Sequence, residues 1–105
     1  MKLYTLDNQF IKKVLYVPDN FTGIVEWSNG LKEWYVNGIQ HRLDGPAYIS
    51  AFGTKWWYVD GKLHRIDGPA LEFVDGEKRW WIDGEEVTKE QCELLHSVMK
   101  LKGLI

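Results

Sequence analysis

The sequence predicts a mainly β fold, built from tandem 23-residue units of antiparallel strand and turn and closed by one C-terminal helix. Three observations carry this expectation. Gly30-Leu-Lys-Glu-Trp-Tyr-Val-Asn-Gly38 recurs as Gly53-Thr-Lys-Trp-Trp-Tyr-Val-Asp-Gly61 and as Gly76-Glu-Lys-Arg-Trp-Trp-Ile-Asp-Gly84, 23 residues apart each time. His41-Arg-Leu-Asp-Gly-Pro-Ala47 recurs at the same spacing as His64-Arg-Ile-Asp-Gly-Pro-Ala70, with no insertion. After Gly84 the period stops and a helical pattern takes over.

A degenerate copy precedes these, since Gly23-Ile-Val-Glu-Trp-Ser-Asn-Gly30 aligns with Pro69-Ala-Leu-Glu-Phe-Val-Asp-Gly76 two periods on. Residues 1–105 therefore read as one domain: an N-terminal cap with strands over 1–22, the repeats over 23–86 and a helical cap over 87–105. Within a unit, Lys-x-Trp-aromatic-Val/Ile is rich in β-favouring side chains and runs into Asn-Gly or Asp-Gly, dipeptides suited to hairpin turns with positive φ. Gly-Pro-Ala reopens the chain, because proline fixes its own φ and biases the preceding residue towards extended geometry. A second strand follows over Ala47–Phe52 and Ala70–Val74. The stretch around His41 and His64 reads equally as a third short strand or a bent loop, so each unit has two or three strands.

The tail predicts one helix of about 14 residues. Thr88 and Gln91 form a capping box, Val87 and Cys92 suit a hydrophobic staple, and Gly103 stands where the helix stops. Cys92, Leu95, Val98 and Met99 share one stripe, widened by Leu94 and Leu101.

Net charge is −2, with Lys and Arg scattered, so no basic field exists to hold a phosphate backbone and nucleic acid is excluded as a partner. Nor do acidic blocks exist that could mimic DNA. Cys92 is the only cysteine, so no intrachain disulfide can form, and the N-terminal residues lack the apolar core of a signal peptide. No apolar run approaches the roughly 18 residues needed to cross a bilayer. A soluble, cytoplasmic protein is expected, with membrane contact disfavoured.

His41, Arg42, Asp44, Gly45 and Pro46, repeated as His64, Arg65, Asp67, Gly68 and Pro69, contain the tools of metal binding and of acid–base catalysis. A catalytic centre is a single asymmetric constellation, whereas an identical motif in successive units is what a structural turn produces. The motif is therefore read as scaffold, and the protein as a non-enzyme without cofactor or metal. His96 has only Cys92 at ligand spacing, two ligands where structural zinc needs four, and is a helix-surface or flank residue. Cys92 itself lies on the apolar stripe, where a thiol is inert.

Strand alternation sets Trp34, Trp57 and Trp80 on one face with Val36, Val59 and Ile82, which reads as core. It sets Tyr35, Tyr58 and Trp81 on the opposite face beside Glu33, Trp56 and Arg79. A 14-residue helix is about 21 Å long and cannot cover a sheet of three or four units. The second face, Glu33, Tyr35, Trp56, Tyr58, Arg79 and Trp81, is therefore the candidate partner-binding surface, rich in the residue types of interaction hot spots. Its plain alternative is a set of cross-strand aromatic pairs that stiffen the sheet.

The 23-residue length, the aromatic strand ending in Asn/Asp-Gly, Gly61-Lys-Leu-His64 and Asp75-Gly76 resemble a MORN repeat, in the variant where His-Arg-x-Asp-Gly-Pro-Ala replaces His-Gly-x-Gly. That resemblance implies hairpins stacked edge to edge into an elongated, twisted sheet used for protein–protein contact, for self-association into a homodimer or scaffold or, in some proposals, for lipid contact. The strand departs from the ordinary Tyr-x-Gly of the family, which disfavours lipid, and carbohydrate binding is disfavoured by the scarcity of Asn, Gln and Asp beside the aromatics. Short proteins of this variant resemble ones found in viral, particularly bacteriophage, genomes. This points to a host protein as partner and to inhibition of a host defence factor as the effect.

Overall fold

The 23-residue units form two to four short strands each in the computed structural model, which describes residues 1–105. The N-terminal hairpin is β1 (Lys2–Tyr4) and β2 (Phe10–Lys13), followed by β3 (Gly23–Glu26) of the degenerate copy. The first full unit contributes β4 (Lys32–Val36), β5 (Ile39–Gln40) and β6 (Tyr48–Ile49). The second contributes β7 (Lys55–Trp56), β8 (Tyr58–Val59), β9 (Lys62–Leu63) and β10 (Leu71–Glu72). The last has β11 (Lys78–Ile82) and β12 (Glu85–Val87), and then α1 (Lys89–Leu101). All pairings are antiparallel, and the main sheet runs β12-β11-β10-β7-β6-β4-β3-β1-β2, with β5 on β4 and with β8-β9 as a separate hairpin.

A short strand of two or three residues follows Asn-Gly or Asp-Gly in each unit, and in the first two units the His-Arg motif follows it as a loop. The strands after Gly-Pro-Ala are shorter than the sequence suggests, two residues each at Tyr48–Ile49 and Leu71–Glu72. Each Asn-Gly or Asp-Gly hairpin turn takes positive φ at both central residues, 51° and 77° at Asn37-Gly38, 52° and 77° at Asp60-Gly61, 49° and 81° at Asp83-Gly84. That double left-handed geometry matches the twist of the flanking strands and is open chiefly to Asn, Asp and Gly.

The central tryptophan divides each unit into two layers. The N–H of Trp34 donates to the Ala47 carbonyl (2.8 Å) in the sheet, while its own carbonyl accepts from His41 N–H (3.1 Å) on the hairpin side. Trp57 repeats this with Ala70 (2.8 Å) and His64 (3.1 Å). Neighbouring hairpins are joined laterally: Gly61 N–H donates to Gln40 O (2.9 Å), Arg42 N–H to Tyr58 O (3.0 Å) and Asp60 N–H to His41 Nδ1 (3.0 Å). One period later Gly84 donates to Leu63 O (2.9 Å), Arg65 to Trp81 O (3.1 Å) and Asp83 to His64 Nδ1 (3.0 Å).

Both ends of this lateral ladder are closed by substitutes. At the N-terminal end the loop before β3 supplies Phe21 O to Gly38 N–H (2.8 Å) and Thr22 Oγ1 to Asn37 N–H (2.8 Å), standing in for the carbonyl and imidazole of a preceding unit. At the other end Thr88, one period after Arg65, turns its N–H to Gln91 Oε1 (2.9 Å), while its hydroxyl accepts from Gln91 N–H (3.1 Å). The capping box that starts α1 is thus also the stop of the array. Gly103 N–H to Lys100 O and Leu104 N–H to Met99 O close the helix in a Schellman turn.

Packing corrects the expected division of faces. Register places Leu3, Val25, Glu33, Tyr48, Trp56, Leu71 and Arg79 in one cross-strand row, so the buried Leu3, Val25 and Leu71 lie on the face expected to be open. Ile24, opposite Trp34, and Ala47 and Ala70, bonded to Trp34 and Trp57, are buried on the tryptophan face. Alternation sorts side chains into two sets but does not say which set is covered, and here both sets are partly covered. Only eight residues are fully buried, and the molecule is elongated at 44 × 31 × 20 Å. Its stability rests on half-buried aromatics and lateral hydrogen bonds rather than on one deep core. No helix is long and apolar enough to cross a membrane.

Candidate partner-binding surface

The six residues read from the sequence as a binding surface do share a face. Glu33, Trp56 and Arg79 stand in the cross-strand row described above, and Tyr35, Tyr58 and Trp81 alternate with them along the same strands. Their exposure is lower than expected: Glu33, Tyr35, Trp56, Tyr58 and Trp81 are half-buried, and Arg79 alone is exposed. Short strands place their side chains close enough to cover one another. The Tyr48 ring stacks on Trp56 at 4.5 Å between centroids and 17° between planes, and Trp56 meets Tyr58 at 6.4 Å.

Glu33 organises this cluster. Its carboxylate accepts from Trp27 Nε1 (2.7 Å) and from Gln40 Nε2 (3.1 Å), and Gln40 also donates to Ala47 O (3.2 Å). Burial, then the Glu33 charge and a hydrogen bond to it, push the Tyr35 phenol up to about 12. Burial also raises Tyr58, with the Glu33 charge and Tyr48 adding to it. Both phenols thus stay neutral hydrogen-bond donors around one carboxylate. At the far end Arg79 forks onto Glu86, with Nη2 to Oε1 at 2.7 Å, an exposed pair that holds the guanidinium in place. The indole N–H groups of Trp56 and Trp81 are shielded and reach no protein acceptor.

The repeated motif lies on the other face, in equivalent surroundings in both units. The Arg42 guanidinium sits 4.2 Å from the Trp34 centroid, donates from Nε to Asp44 Oδ1 (3.0 Å) and from Nη1 to Pro46 O (3.0 Å). For Arg65 the values are 4.0 Å over Trp57, 2.9 Å to Asp67 and 3.0 Å to Pro69 O. Gly45 and Gly68 are needed because a Cβ there would lie 2.8 Å from the Cζ of Arg42 or Arg65. The Arg42 hydrogen bond and charge hold the Asp44 carboxyl below its usual range. Since Nδ1 of His41 and His64 accepts a backbone N–H, each imidazole is committed to the neighbouring hairpin. No group of three or more His, Cys, Asp or Glu side chains is placed to hold a metal ion.

Cys92 is buried, with Sγ 3.5 Å from the carbonyls of Arg65 and Ile66, and so anchors α1 under the second motif loop. Burial, with the charges of Asp67 and Glu93, raises its thiol. His96 is half-buried on the flank of that contact.

Two features escaped the sequence reading. Tyr48 joins the aromatic cluster, a place its alternation within Ala47-Tyr48-Ile49 could have signalled. A groove of about 660 Å³ lies between the two motif loops over Trp57 and Val59, rimmed by Leu43, His64, His96 and Ile105. Its signal was the equal spacing of the loops.

Fold and surface together define a mainly β protein with an antiparallel sheet, one C-terminal helix and an aromatic face framed by charged residues. Comparison with family models, with curated proteins and with solved structures gives no match.

Proposed function

We propose that this chain is a non-enzymatic binding module that acts by stoichiometric contact with another protein, through the face of Glu33, Tyr35, Trp56, Tyr58, Arg79 and Trp81. The observation that carries the reading is the aromatic cluster itself: Tyr, Trp and Arg gathered on one face, with two indole donors lacking an acceptor. An unpaired shielded donor costs roughly 1–3 kcal/mol, and a partner carbonyl would recover that cost only if the cluster opened the indole to it on binding. The repeated His, Arg and Asp side chains support the same reading, because each is engaged within the scaffold. In line with the MORN-like repeat pattern, the narrower form of the proposal is a viral protein that blocks a host defence factor.

The test is affinity capture from host lysate with quantitative mass spectrometry, comparing the native chain with Arg79→Glu and with Tyr58→Ala/Trp81→Ala, each checked for folding by circular dichroism. A protein held near equimolar ratio by the native chain should bind the variants about thirtyfold more weakly, the effect of roughly 2 kcal/mol at a hot spot. Equal capture by all three would remove this face as the binding surface.

A further inference from the structure

The register of the main sheet gathers lysines that lie far apart in sequence. Lys2 stands directly opposite both Lys13 and Glu26, Glu26 opposite Lys32, and Lys32 opposite Ile49. The row continues through Lys55 and Glu72 to Lys78. Directly opposed residues share a face, and alternation puts this row on the tryptophan side, behind the row of Glu33, Trp56 and Arg79. It holds five of the ten lysines and two of the 15 acidic residues, a surplus of three positive charges in a chain of net charge −2. Basic residues are thus scattered along the chain but not across the sheet.

Four of the five lysines are exposed and unpaired. Only Lys32 has a carboxylate within reach, Glu26 at 3.8 Å. Glu72, which stands between Lys55 and Lys78, turns to Arg65 instead (3.4 Å). Lys89 and Glu93 of α1 share a recess with Lys78 but pair with each other at 3.9 Å. Glu77, next to Lys78, acts on Arg79 of the other face. Lys2 and Lys13 oppose each other as like charges, an arrangement that costs stability in the free chain. Helix α1 packs on β11 through Cys92 and does not neutralise the row. Leu94 and Leu101, expected to widen the packed stripe of α1, are 66 and 88% exposed.

We propose that this row docks an acidic α-helix of a partner protein. Lys32, Lys55 and Lys78 stand on alternate strands, β4, β7 and β11, with β6 and β10 between them, so they recur about every 9.6 Å. A helix returns the same face every two turns, about 10.5 Å for seven residues, and so sets a carboxylate at i, i+7 and i+14 over each lysine. Midway between, its side chains meet Ile49 and then Glu72, positions that suit an apolar and a basic residue. An extended strand repeats its face about every 6.8 Å, out of step with the lysines. A phosphate backbone is uniformly negative and would meet Glu26 and Glu72 as well, and a second copy of this row would oppose one positive surplus with another. Sheet twist turns each of these lysines by about 45° from the last, which their flexible stems follow over three contacts but not over the whole row. The surface lies behind the aromatic cluster and does not depend on the function proposed for that cluster.

Fluorescence anisotropy at low salt tests it, with a labelled helical peptide carrying Glu at heptad spacing and a control of equal composition whose Glu residues are spread round the helix. The heptad peptide should bind the native chain about tenfold more tightly than the control, and less tightly as salt is raised. Lys32→Gln, Lys55→Gln and Lys78→Gln should each weaken it about threefold, the effect of one exposed ion pair, and the triple variant about thirtyfold with an unchanged melting curve. Tyr58→Ala/Trp81→Ala should bind the peptide as the native chain does, which separates this surface from the aromatic one. A triple Lys→Glu variant should instead take a heptad peptide with Lys in place of Glu. Equal binding of heptad and control peptides, full binding by the triple Gln variant, or tighter binding of a duplex oligonucleotide than of the heptad peptide would overturn the proposal.

Discussion

At the scale of single residues, the repeated motif is a clamp for one guanidinium. Arg65 is held by the Trp57 ring, Asp67 and the Pro69 carbonyl, and it lies against Gly68 so closely that any Cβ would be 2.8 Å from Cζ. The tip of an arginine is ordinarily free to swing aside, but here moving it breaks charge-assisted hydrogen bonds and a cation–π contact. Gly68→Ala should therefore cost about 2 kcal/mol in denaturant unfolding, and nearly nothing in an Arg65→Ala background. Equal cost in both backgrounds would place the constraint in the backbone instead. A second residue-scale prediction concerns Tyr35, whose phenol rises from 10.0 to about 12 on folding. Between these values the unfolded chain binds fewer protons than the folded one, so stability falls as pH rises. The contribution is fully present below pH 10 and is lost as pH rises through about 12. Tyr35→Phe lacks this contribution, so its unfolding midpoint should decline less steeply over that alkaline window. Tyr58, raised in the same direction, leaves a residual slope in the variant.

Among the elements, α1 depends on a capping box that serves two structures at once. Thr88→Ala removes the acceptor for Gln91 N–H and should lower stability by about 1 kcal/mol. Gln91→Ala instead leaves Thr88 N–H without Oε1, and hydrogen exchange should speed first at Thr88 and in the opening turn of α1. Uniform acceleration through β11 and β12 would show that helix and last hairpin open as one unit. The capping box was legible in the sequence because Thr88 and Gln91 act through local backbone groups. The 23-residue period was legible for a related reason, since Asn-Gly, Asp-Gly and Gly-Pro fix dihedral angles wherever they occur. Cover was not legible. Ile39–Gln40 and Lys62–Leu63 are too short to alternate, and their lateral partners lie some 20 residues away. Which side of Trp56 or Leu94 meets water is likewise decided by the packing of distant segments and by where Cys92 docks, neither of which leaves a periodic trace. The candidate surface was thus identified by composition and face, while its half-burial and the place of Tyr48 depended on three-dimensional register.

Across the whole molecule, the ladder of lateral bonds has the same form at each step, with substitutes only at its two ends. Nearest-neighbour contacts of this kind make stability nearly a sum over units and their interfaces. A copy of residues 42–64 inserted after His64 adds one full period, and its junctions repeat contacts already present: a Gly N–H to a carbonyl, an Arg N–H to an aromatic residue's carbonyl, an Asp N–H to an imidazole Nδ1. Neither end is disturbed, because Phe21 and Thr22 still close one hairpin and Thr88 and Gln91 the other. The enlarged chain should fold cooperatively, melt at the same temperature or higher, and show by small-angle scattering a radius of gyration above the 15.1 Å of the native chain. A radius that grew without loss of cooperativity would mean that the hairpin ladder, rather than a particular N- or C-terminal cap, propagates the fold. A lower melting temperature or two separate transitions would mean that the caps and the long axis are matched in length, and that His41 and His64 do not make interchangeable joints.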